Sequence, residues 1–435
     1  MKFTSTRNPS VSVNFAKAVL DCMPEDGGLY IPEEFADLRK WILYTDENTS
    51  FSSIAGTLTS ACINTEFSPI ICETIATKAF PFSPKVQKID ENLFTLELYH
   101  TPSGSHKEFG VSYLVNCLET ILTLQGGTAT FLDATTGEIA SSLARAIRGK
   151  NNLKAVLLFP KGFVRGLTKE DFVWNGGNVL PVEVDGDEKL CHELVREIFA
   201  NRALVEKYNL TVANTANIGR LMPQAFFYPY AFSQLKNQVN GGIFYAMPCG
   251  NYSNLVAGLY SWRLSLPVNG FICPTSDEIK VDLEGNCEIM DSIVDLKNRG
   301  NADPASPSNL ERLEEIFTTS SLMLKHFIYP AQVSKEETEA ACQKLFKDYG
   351  IYANKSTSRA YAAALKRNDI FGDEGSSVVL VMRDHPAFDS EFIRHTLGKA
   401  PELPNENPDS LIPTELKHPC VSSPEEVMLI IADEL

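Results

Sequence analysis

The sequence lacks the features that mark a membrane, secreted or nucleic-acid-binding protein. No apolar run reaches the roughly 18 residues that a membrane-spanning helix needs, and the amino-terminal stretch MKFTSTRNPS has no apolar signal core. Positive charge is scarce as well, because 39 Lys and Arg face 55 Asp and Glu, which gives a formal net charge of -16. Nucleic acids and anionic membranes bind to positive surfaces. We therefore expect a cytoplasmic protein without a nucleic-acid or membrane partner.

Cysteine and histidine show no spacing typical of disulfide frameworks or metal sites. The ten cysteines are scattered and form no CxxC motif, so free thiols in a reducing compartment are expected. The seven histidines show no metal-ligand spacing either. The sequence therefore predicts no metal site.

Strand and helix patterns alternate through the middle of the chain. Short apolar runs such as TATFLDAT (128–135), KAVLLFP (154–160) and GIFYAMP (242–248) are separated by helical patterns. This order is typical of parallel α/β architecture, and the near-continuous apolar character of the runs predicts sheets covered on both faces. In such sheets ligands bind at the carboxyl ends of the strands.

Two loops that follow predicted strands carry groups suited to anions. The segment MPCGNYSNLVAGL (247–259) passes through a Gly/Asn/Ser turn whose free N–H groups could hold an anion, although the same turn also serves to cap a helix. The segment ANTANIGRLMPQ (213–224) places Arg220 after Asn214 and Asn217. This set suits phosphate or carboxylate, whereas a lone Arg in a first helical turn is more often solvated or paired.

Two further loops have both a structural and a chemical interpretation. In DATTGEIASSL (133–143), Thr135 or Thr136 can cap the following helix, which explains the segment without a ligand. In ELYHTPSGSHKEFGVSYL (97–114), Lys107 lies between a predicted strand and a predicted helix. A desolvated lysine near a carbonyl cofactor is a Schiff-base nucleophile, but most lysines are simply exposed.

Several segments together resemble the threonine synthase family of pyridoxal-phosphate (PLP) enzymes. STRNPSVSVNFAKAVLDCMPEDGGLYIPEE is similar to the family's opening pattern S-T-R, V-x-F, A-V and P-x-D-G-G-L-Y-x-P. YHTPSGSHKE, CGNYSN, PSNLERLEEIF and DHPAF then follow in the family's order, so the resemblance covers roughly residues 5 to 390. It implies the fold type II PLP-enzyme architecture, with two parallel or mixed α/β domains and a mainly helical N-terminal domain.

The resemblance implies four regions along the chain. They are an N-terminal domain at 1–92, a small α/β domain with the Schiff-base lysine at 93–235, a large PLP-binding α/β domain at 236–395, and a C-terminal extension at 396–435 that packs on the surface. The Pro-rich, polar segment 400–415 is expected to be an extended surface excursion.

The resemblance also implies a site and a reaction. Lys107 takes the Schiff-base position of the family's lysine motif. The residues implied in cofactor binding are His106, Gly250, Asn251, Tyr252, Ser253, Asn254 and Arg383. Those implied in substrate binding are Thr135, Thr136 and Gly137 for the carboxylate, and Asn214, Asn217 and Arg220 for the phosphate. The implied enzyme is a PLP-dependent carbon–oxygen lyase that turns O-phosphohomoserine and water into threonine and phosphate, as a monomer or homodimer.

Four motifs depart from the family pattern. A-T-S-G-D-T-G reads ATTGEIA, Ser253 stands at a glycine position, D/E-P-H reads NKS at 354–356, and T-A-H-P-A-K-F reads RDHPAFD. The last change places Arg383, a permanent donor, where the family has a threonine near the pyridine nitrogen. Three interpretations stay open: a divergent threonine synthase, a PLP lyase of the same fold with a different amino-acid substrate, and a paralogue without catalysis that has a binding or regulatory role.

Overall fold

The computed structural model describes residues 1–63, 65–135, 138–164, 166–239, 241–290, 294–318, 321–402 and 416–435. The α-helices are α1 (Phe15–Asp21), α2 (Arg39–Tyr44), α3 (Phe51–Ile63), α4 (Pro69–Ala79), α5 (Lys107–Gln125), α6 (Glu138–Ile147), α7 (Glu188–Ala200), α8 (Arg202–Tyr208), α9 (Ile218–Leu221), α10 (Phe227–Leu235), α11 (Ser253–Arg263), α12 (Leu310–Phe317), α13 (Ser321–Phe327), α14 (Lys335–Tyr349), α15 (Lys355–Lys366), α16 (Asn368–Phe371), α17 (Ser390–Leu397) and α18 (Pro424–Glu434). The strands are β1 (Phe3–Ser5), β2 (Tyr30–Pro32), β3 (Lys85–Lys88), β4 (Leu93–Glu97), β5 (Ala129–Ala134), β6 (Leu153–Pro160), β7 (Val179–Val184), β8 (Leu210–Thr211), β9 (Gly242–Ala246), β10 (Gly270–Pro274), β11 (Ile279–Val281), β12 (Cys287–Ile289), β13 (Ile328–Ala331) and β14 (Ser376–Met382).

Two sheets with parallel cores organise the chain. The larger sheet has the order β13-β10-β9-β14-β4-β3, and only its edge strand β3 runs antiparallel to its neighbour. The smaller sheet has the order β7-β6-β5-β8 and is parallel throughout. All seven residues of β14 are buried, as expected for a strand covered on both faces. The predicted α/β class is confirmed.

The strand β4 belongs to the larger sheet. β4 begins the region predicted as the small domain, yet it pairs along its whole length with β14 of the larger sheet. Its five residues are all buried, which requires neighbours on both faces. The smaller sheet therefore begins with β5.

The two ends of the chain contribute to the main cores. Phe51 of α3 packs its ring on Phe109 of α5 and Phe227 of α10, so the N-terminal helices share an apolar core with the larger sheet. Val427 and Ile431 of α18 are fully buried against the smaller sheet, so this helix adds to the apolar core of that sheet. The predicted excursion at 400–415 falls largely outside the described residues.

Parallel pairing of β4 with β14 brings two site segments together. The register places Glu97 beside Met382, so the residues that follow both strands leave the same edge of the sheet. The His106 N–H then donates to the Arg383 carbonyl at 2.9 Å, and the His385 N–H donates to the Gly104 carbonyl at 2.8 Å. The start of α5 is thereby fixed against the end of β14.

Within the described ranges, no helix combines the length and apolar character that crossing a membrane requires.

Candidate active site

Two cavities meet at Lys107, the first residue of α5. One has a volume of about 850 Å³ and extends along the carboxyl ends of the larger sheet, past Gly250 and Tyr252. The other has a volume of about 380 Å³ and faces the loops that follow β5 and β8. Lys107, Arg383 and Asp384 line both cavities. The lysine is therefore in the position from which one group can act on ligands in both spaces.

A carboxylate holds the residues just before Lys107. The Ser105 hydroxyl donates to Asp384 Oδ1 at 2.6 Å, and His106 Nδ1 lies 3.1 Å from the same oxygen. The Lys107 N–H donates to the Ser105 hydroxyl at 3.2 Å. Burial acts to raise the pKa of Asp384, but His106 and Arg383 beside it hold that pKa well below its ordinary range. Asp384 is thus a fixed negative charge at the junction of the cavities.

The loop Gly250–Asn254 joins β9 to α11 in a conformation suited to an anion. Gly250 and Tyr252 have positive φ angles of 53° and 64°, which turn the backbone into the first turn of the helix. The Tyr252 side chain makes no capping hydrogen bond to that turn. The positive φ of Gly250 favours glycine, and a Cβ there would also lie 2.7 Å from Arg383 Nη1 and displace the guanidinium from its present position. The exposed N–H groups of a helix start favour phosphate.

Arg220 is a buried cation with unused donors. It is 3% exposed, and its Nε and Nη1 have no hydrogen-bond partner within the described part of the chain. Burial lowers its pKa to about 10, which leaves the guanidinium charged at neutral pH. Gly110 of α5 makes space for it, because a Cβ there would lie 2.0 Å from Arg220 Nη1. Asp133 and Asp384 attract the guanidinium, but burial outweighs them, and its unused donors are costly. An anion is therefore the partner that this part of the cavity suits.

Most of the residues singled out in the sequence line these cavities. The smaller cavity is lined by His106, Lys107, Thr135, Asn214, Arg220, Asn251, Ser253 and Arg383. The larger cavity is lined by Gly250 and Tyr252, together with Lys107 and Arg383. The Asn254 side chain lies below the loop, where its amide donates to Gln224 Oε1 at 2.8 Å. Thr136 and Gly137 lie outside the described residues. Asn214 borders the cavity while its amide donates to the Pro304 carbonyl at 2.7 Å.

Asn217 does not reach the cavity, contrary to the expectation that it contacts the substrate phosphate. It is fully buried, and its amide donates to the Val19 carbonyl at 2.8 Å and to Thr211 Oγ1 at 3.1 Å. Its side-chain oxygen accepts the Gly219 N–H at 2.9 Å and so caps α9. Each polar atom of Asn217 is committed to the fold, which leaves none for a ligand.

Three polar residues at the cavities were missed in the sequence. Thr215 and Gln224 line the smaller cavity, and the Gln224 amide nitrogen has no partner among the described residues. Asp384 is next to Arg383 in the departing RDHPAFD motif. Thr215 lies between two predicted ligands, and Gln224 follows Arg220 by one helical turn, so proximity to Arg220 was the available signal. In the described part of the chain, no group of three or more His, Cys, Asp or Glu is arranged for a metal ion.

Asp133, beside the site, makes the free energy of unfolding of the protein depend on pH. Burial raises its pKa to about 7, against the opposing effects of its 2.7 Å hydrogen bond from the Ala213 N–H and of Arg220. The unfolded carboxyl has an ordinary pKa near 3.8. Between these values the folded state binds more protons, so the Asp133 contribution to the free energy of unfolding is present below about pH 4 and is lost as pH rises to 7.

We expect Asp133→Asn to become more stable relative to wild type as pH rises from 5 to 8, because the amide cannot ionise. Urea unfolding at each pH measures this difference. The control is Asp185→Asn, at an exposed carboxyl after β7. A difference between Asp133→Asn and wild type that is constant across this range would contradict the assignment.

Two family models and many known proteins match the chain. Residues 71–384 match the model described as pyridoxal-phosphate dependent enzyme, and residues 2–80 match the threonine synthase N terminus. Threonine synthase from Escherichia coli K12 is 30% identical over 93% of each chain, and that from Haemophilus influenzae is 29% identical with the same coverage. The crystal structure of the Escherichia coli enzyme matches with a TM-score of 0.79 and 27% identity over the whole of both chains. PLP-bound threonine synthase from Brucella melitensis has the same fold, with a TM-score of 0.81 and 22% identity over 100% of this chain and 99% of that one.

Proposed function

Because the chain belongs to the threonine synthase family of PLP-dependent enzymes, we propose that it converts O-phosphohomoserine and water into threonine and phosphate. The family resemblance, the fold type II architecture and the cofactor PLP predicted from the sequence are confirmed by the matches. The observation that carries the proposed reaction is Arg220, a buried guanidinium with unused donors in a cavity that also contains Lys107. A reaction that expels phosphate beside the cofactor lysine needs such a cation.

The residues at the larger cavity fit PLP. A volume of about 850 Å³ is ample for the cofactor, and the amine of Lys107 borders this space. The loop that contains Gly250 leads into the start of α11, where backbone N–H groups favour phosphate. We assign Lys107 to the covalent link and the loop Gly250, Asn251, Tyr252, Ser253 and Asn254 to the cofactor phosphate. Arg383 borders the same space, and His106 lines the adjoining smaller cavity. When bound, PLP supplies the electron sink for carbanions formed from the substrate.

The chain's own groups have distinct roles in this proposal. Thr135, which follows β5 and lines the smaller cavity, binds the substrate carboxylate, and the family resemblance assigns Thr136 and Gly137 to the same group. Arg220 and Asn214, joined by Thr215 and Gln224, surround the substrate phosphate and offset its charge as it leaves. The amine of Lys107 takes and returns protons at the substrate Cα and Cβ. Asn217 acts only through the loop that it braces. We also propose a cytoplasmic monomer or homodimer.

A second candidate function is a PLP lyase that acts on a different amino acid. It is favoured by Arg383 and Asp384, which replace the uncharged family pattern T-A and line both cavities. Charges at the junction can change which substrate group binds, or whether water adds after the leaving group departs. The two candidates share the cofactor and the lysine, so cofactor content alone does not separate them.

The test is a product assay on the PLP-loaded protein with O-phosphohomoserine. Equal amounts of threonine and phosphate are expected, together with growth of a threonine auxotroph that carries the gene. Phosphate release without threonine would favour the second candidate. A protein that binds PLP but releases no phosphate would contradict the proposed reaction, and the absence of bound PLP would favour a binding or regulatory role.

A further inference from the structure

Two fully buried residues lie beneath the smaller cavity and join the two loops that form it. Asn309 precedes α12 and Arg312 lies in its first turn, and both are 0% exposed. The Asn309 amide nitrogen donates to Thr215 Oγ1 at 3.0 Å and to the Asn251 carbonyl at 3.1 Å. The Asn309 N–H donates to the same carbonyl at 3.0 Å. One side chain thus ties the loop after β8 to the loop before α11.

Arg312 fixes which way the Asn309 amide faces. Its Nη1 donates to Asn309 Oδ1 at 2.6 Å, and a guanidinium can only donate. A flipped amide would set two donors against each other at Arg312 and two acceptors against each other at Asn251. Arg312 also donates to the backbone carbonyls of Thr215 and Ala216. The amide NH2 group is therefore held toward Thr215.

The fixed amide determines the direction of the Thr215 hydroxyl proton. A threonine hydroxyl has two acceptor positions and one donor. Asn309 and Asn251 both donate to Thr215 Oγ1, at 3.0 and 3.1 Å, and fill the acceptor positions. Among the described residues the structure shows no hydrogen bond that this hydroxyl donates, and Thr215 lines the cavity that contains Arg220. The proton remains available to an anion in that cavity.

We propose that Asn309 is a positioning residue for the substrate phosphate, because it keeps the Thr215 hydroxyl as a donor toward the Arg220 cavity. This inference rests on the proposed function, which puts phosphate there.

The same helix start also links the N-terminal family pattern to the site. Arg312 donates to the Tyr30 carbonyl at 3.0 Å, and Arg7 pairs with Glu311 at 2.6 Å, so the N-terminal segment holds α12 in place.

The test compares Asn309→Asp with Ser308→Ala in the PLP-loaded protein. The new carboxylate has nearly the shape of the amide, still accepts from Arg312, and draws the Thr215 proton away from the cavity. It also places an acceptor against the Asn251 carbonyl, and the Thr215→Val background separates that effect from the loss of the Thr215 donor. Ser308 is exposed and only caps the Leu310 N–H at 3.3 Å, so its loss perturbs the same helix start without touching Thr215. Inorganic phosphate is the probe, titrated by calorimetry.

We expect Asn309→Asp to weaken phosphate binding by about 10-fold to 100-fold and to raise KM more than it lowers kcat, since a hydrogen bond to a charged group contributes roughly 1.5–3 kcal/mol. The PLP absorption spectrum should stay unchanged, and Ser308→Ala should bind phosphate as wild type does. In a Thr215→Val background, Asn309→Asp should have little further effect on binding, because both changes remove one donor.

Two outcomes would overturn the inference alone: wild-type-like phosphate binding by Asn309→Asp, or full additivity with Thr215→Val. If Asn309→Asp does not fold, Asn309→Ser in both backgrounds gives the same comparison. A wild-type protein that neither binds phosphate nor releases it from O-phosphohomoserine would overturn the proposed function, and this inference with it.

Discussion

Lys107→Ala should abolish the PLP absorption band that borohydride fixes and lower the rate of phosphate release on the order of 10⁴-fold. Under the proposed assignment this variant loses two functions together, the covalent link and the amine that moves protons at Cα and Cβ. Lys107 borders both cavities, and this position suits both functions. Noncovalent PLP binding through the loop that begins at Gly250 should persist, with lower affinity. Spectra before and after reduction, and a phosphate assay, measure the two effects.

The matched control for Lys107→Ala is Lys355→Ala. Lys355 also lines the larger cavity, at the start of α15, and so tests whether any amine in that space can take the role. We expect Lys355→Ala to keep the reducible band. If the band survives in Lys107→Ala, or disappears in Lys355→Ala, the assignment of the covalent link to Lys107 is wrong.

The sequence predicted those parts of the fold and site that depend on local pattern. Apolar runs identified strands such as β9 and β14, and the turn residues of Gly250–Asn254 marked a strand end followed by a helix. These features depend on neighbours within a few residues. The sheet that contains β4 depends instead on a partner almost 300 residues away in β14. No local pattern carries that information, so the sequence alone did not show which sheet contains β4.

The sequence also did not show which way the side chains of an irregular loop point. Asn214, Thr215 and Asn217 are close in sequence, and only the two asparagines were assigned to the substrate phosphate. The structure turns Asn217 toward Val19, while Thr215 faces the cavity. A helix or strand has a period from which a face can be predicted, whereas a loop of four residues has none. Asn217 was therefore assigned to a ligand when it braces the fold.

Arg220→Met should stabilise the ligand-free protein while it destroys phosphate binding. Nε and Nη1 of Arg220 are buried without partners in the described structure, and Asp133 and Asp384 offset only part of the cost of burying the charge in the unliganded protein. Methionine fills similar space without that cost. We expect the free energy of unfolding to rise by about 1–3 kcal/mol. Urea unfolding at pH 6 measures it, because Asp133, whose pKa is about 7, is then mainly protonated and does not depend on Arg220 as its counter-charge.

Phosphate binding should change in the opposite direction. A phosphate that loses a buried, charged donor pair is expected to bind about 100-fold more weakly or worse, since truncation of one partner of such a pair costs about 2–5 kcal/mol. KM for O-phosphohomoserine should rise in parallel, and added phosphate should no longer stabilise the protein against unfolding. Equal stability of wild type and Arg220→Met without ligand would contradict the view that these donors await an anion.

Arg312→Met is the control that separates a ligand-binding arginine from a structural one. Burial lowers the pKa of both arginines to about 10, so burial and charge alone do not distinguish them. Arg312, however, donates to the carbonyls of Tyr30, Thr215 and Ala216 and to Asn309 Oδ1, and its removal leaves these buried acceptors unpaired. We expect Arg312→Met to lower the free energy of unfolding by about 3–5 kcal/mol. The two substitutions are thus expected to change the free energy of unfolding in opposite directions. That result would show that the protein holds Arg220 ready for its substrate at a cost in stability, while Arg312 stabilises the fold around it.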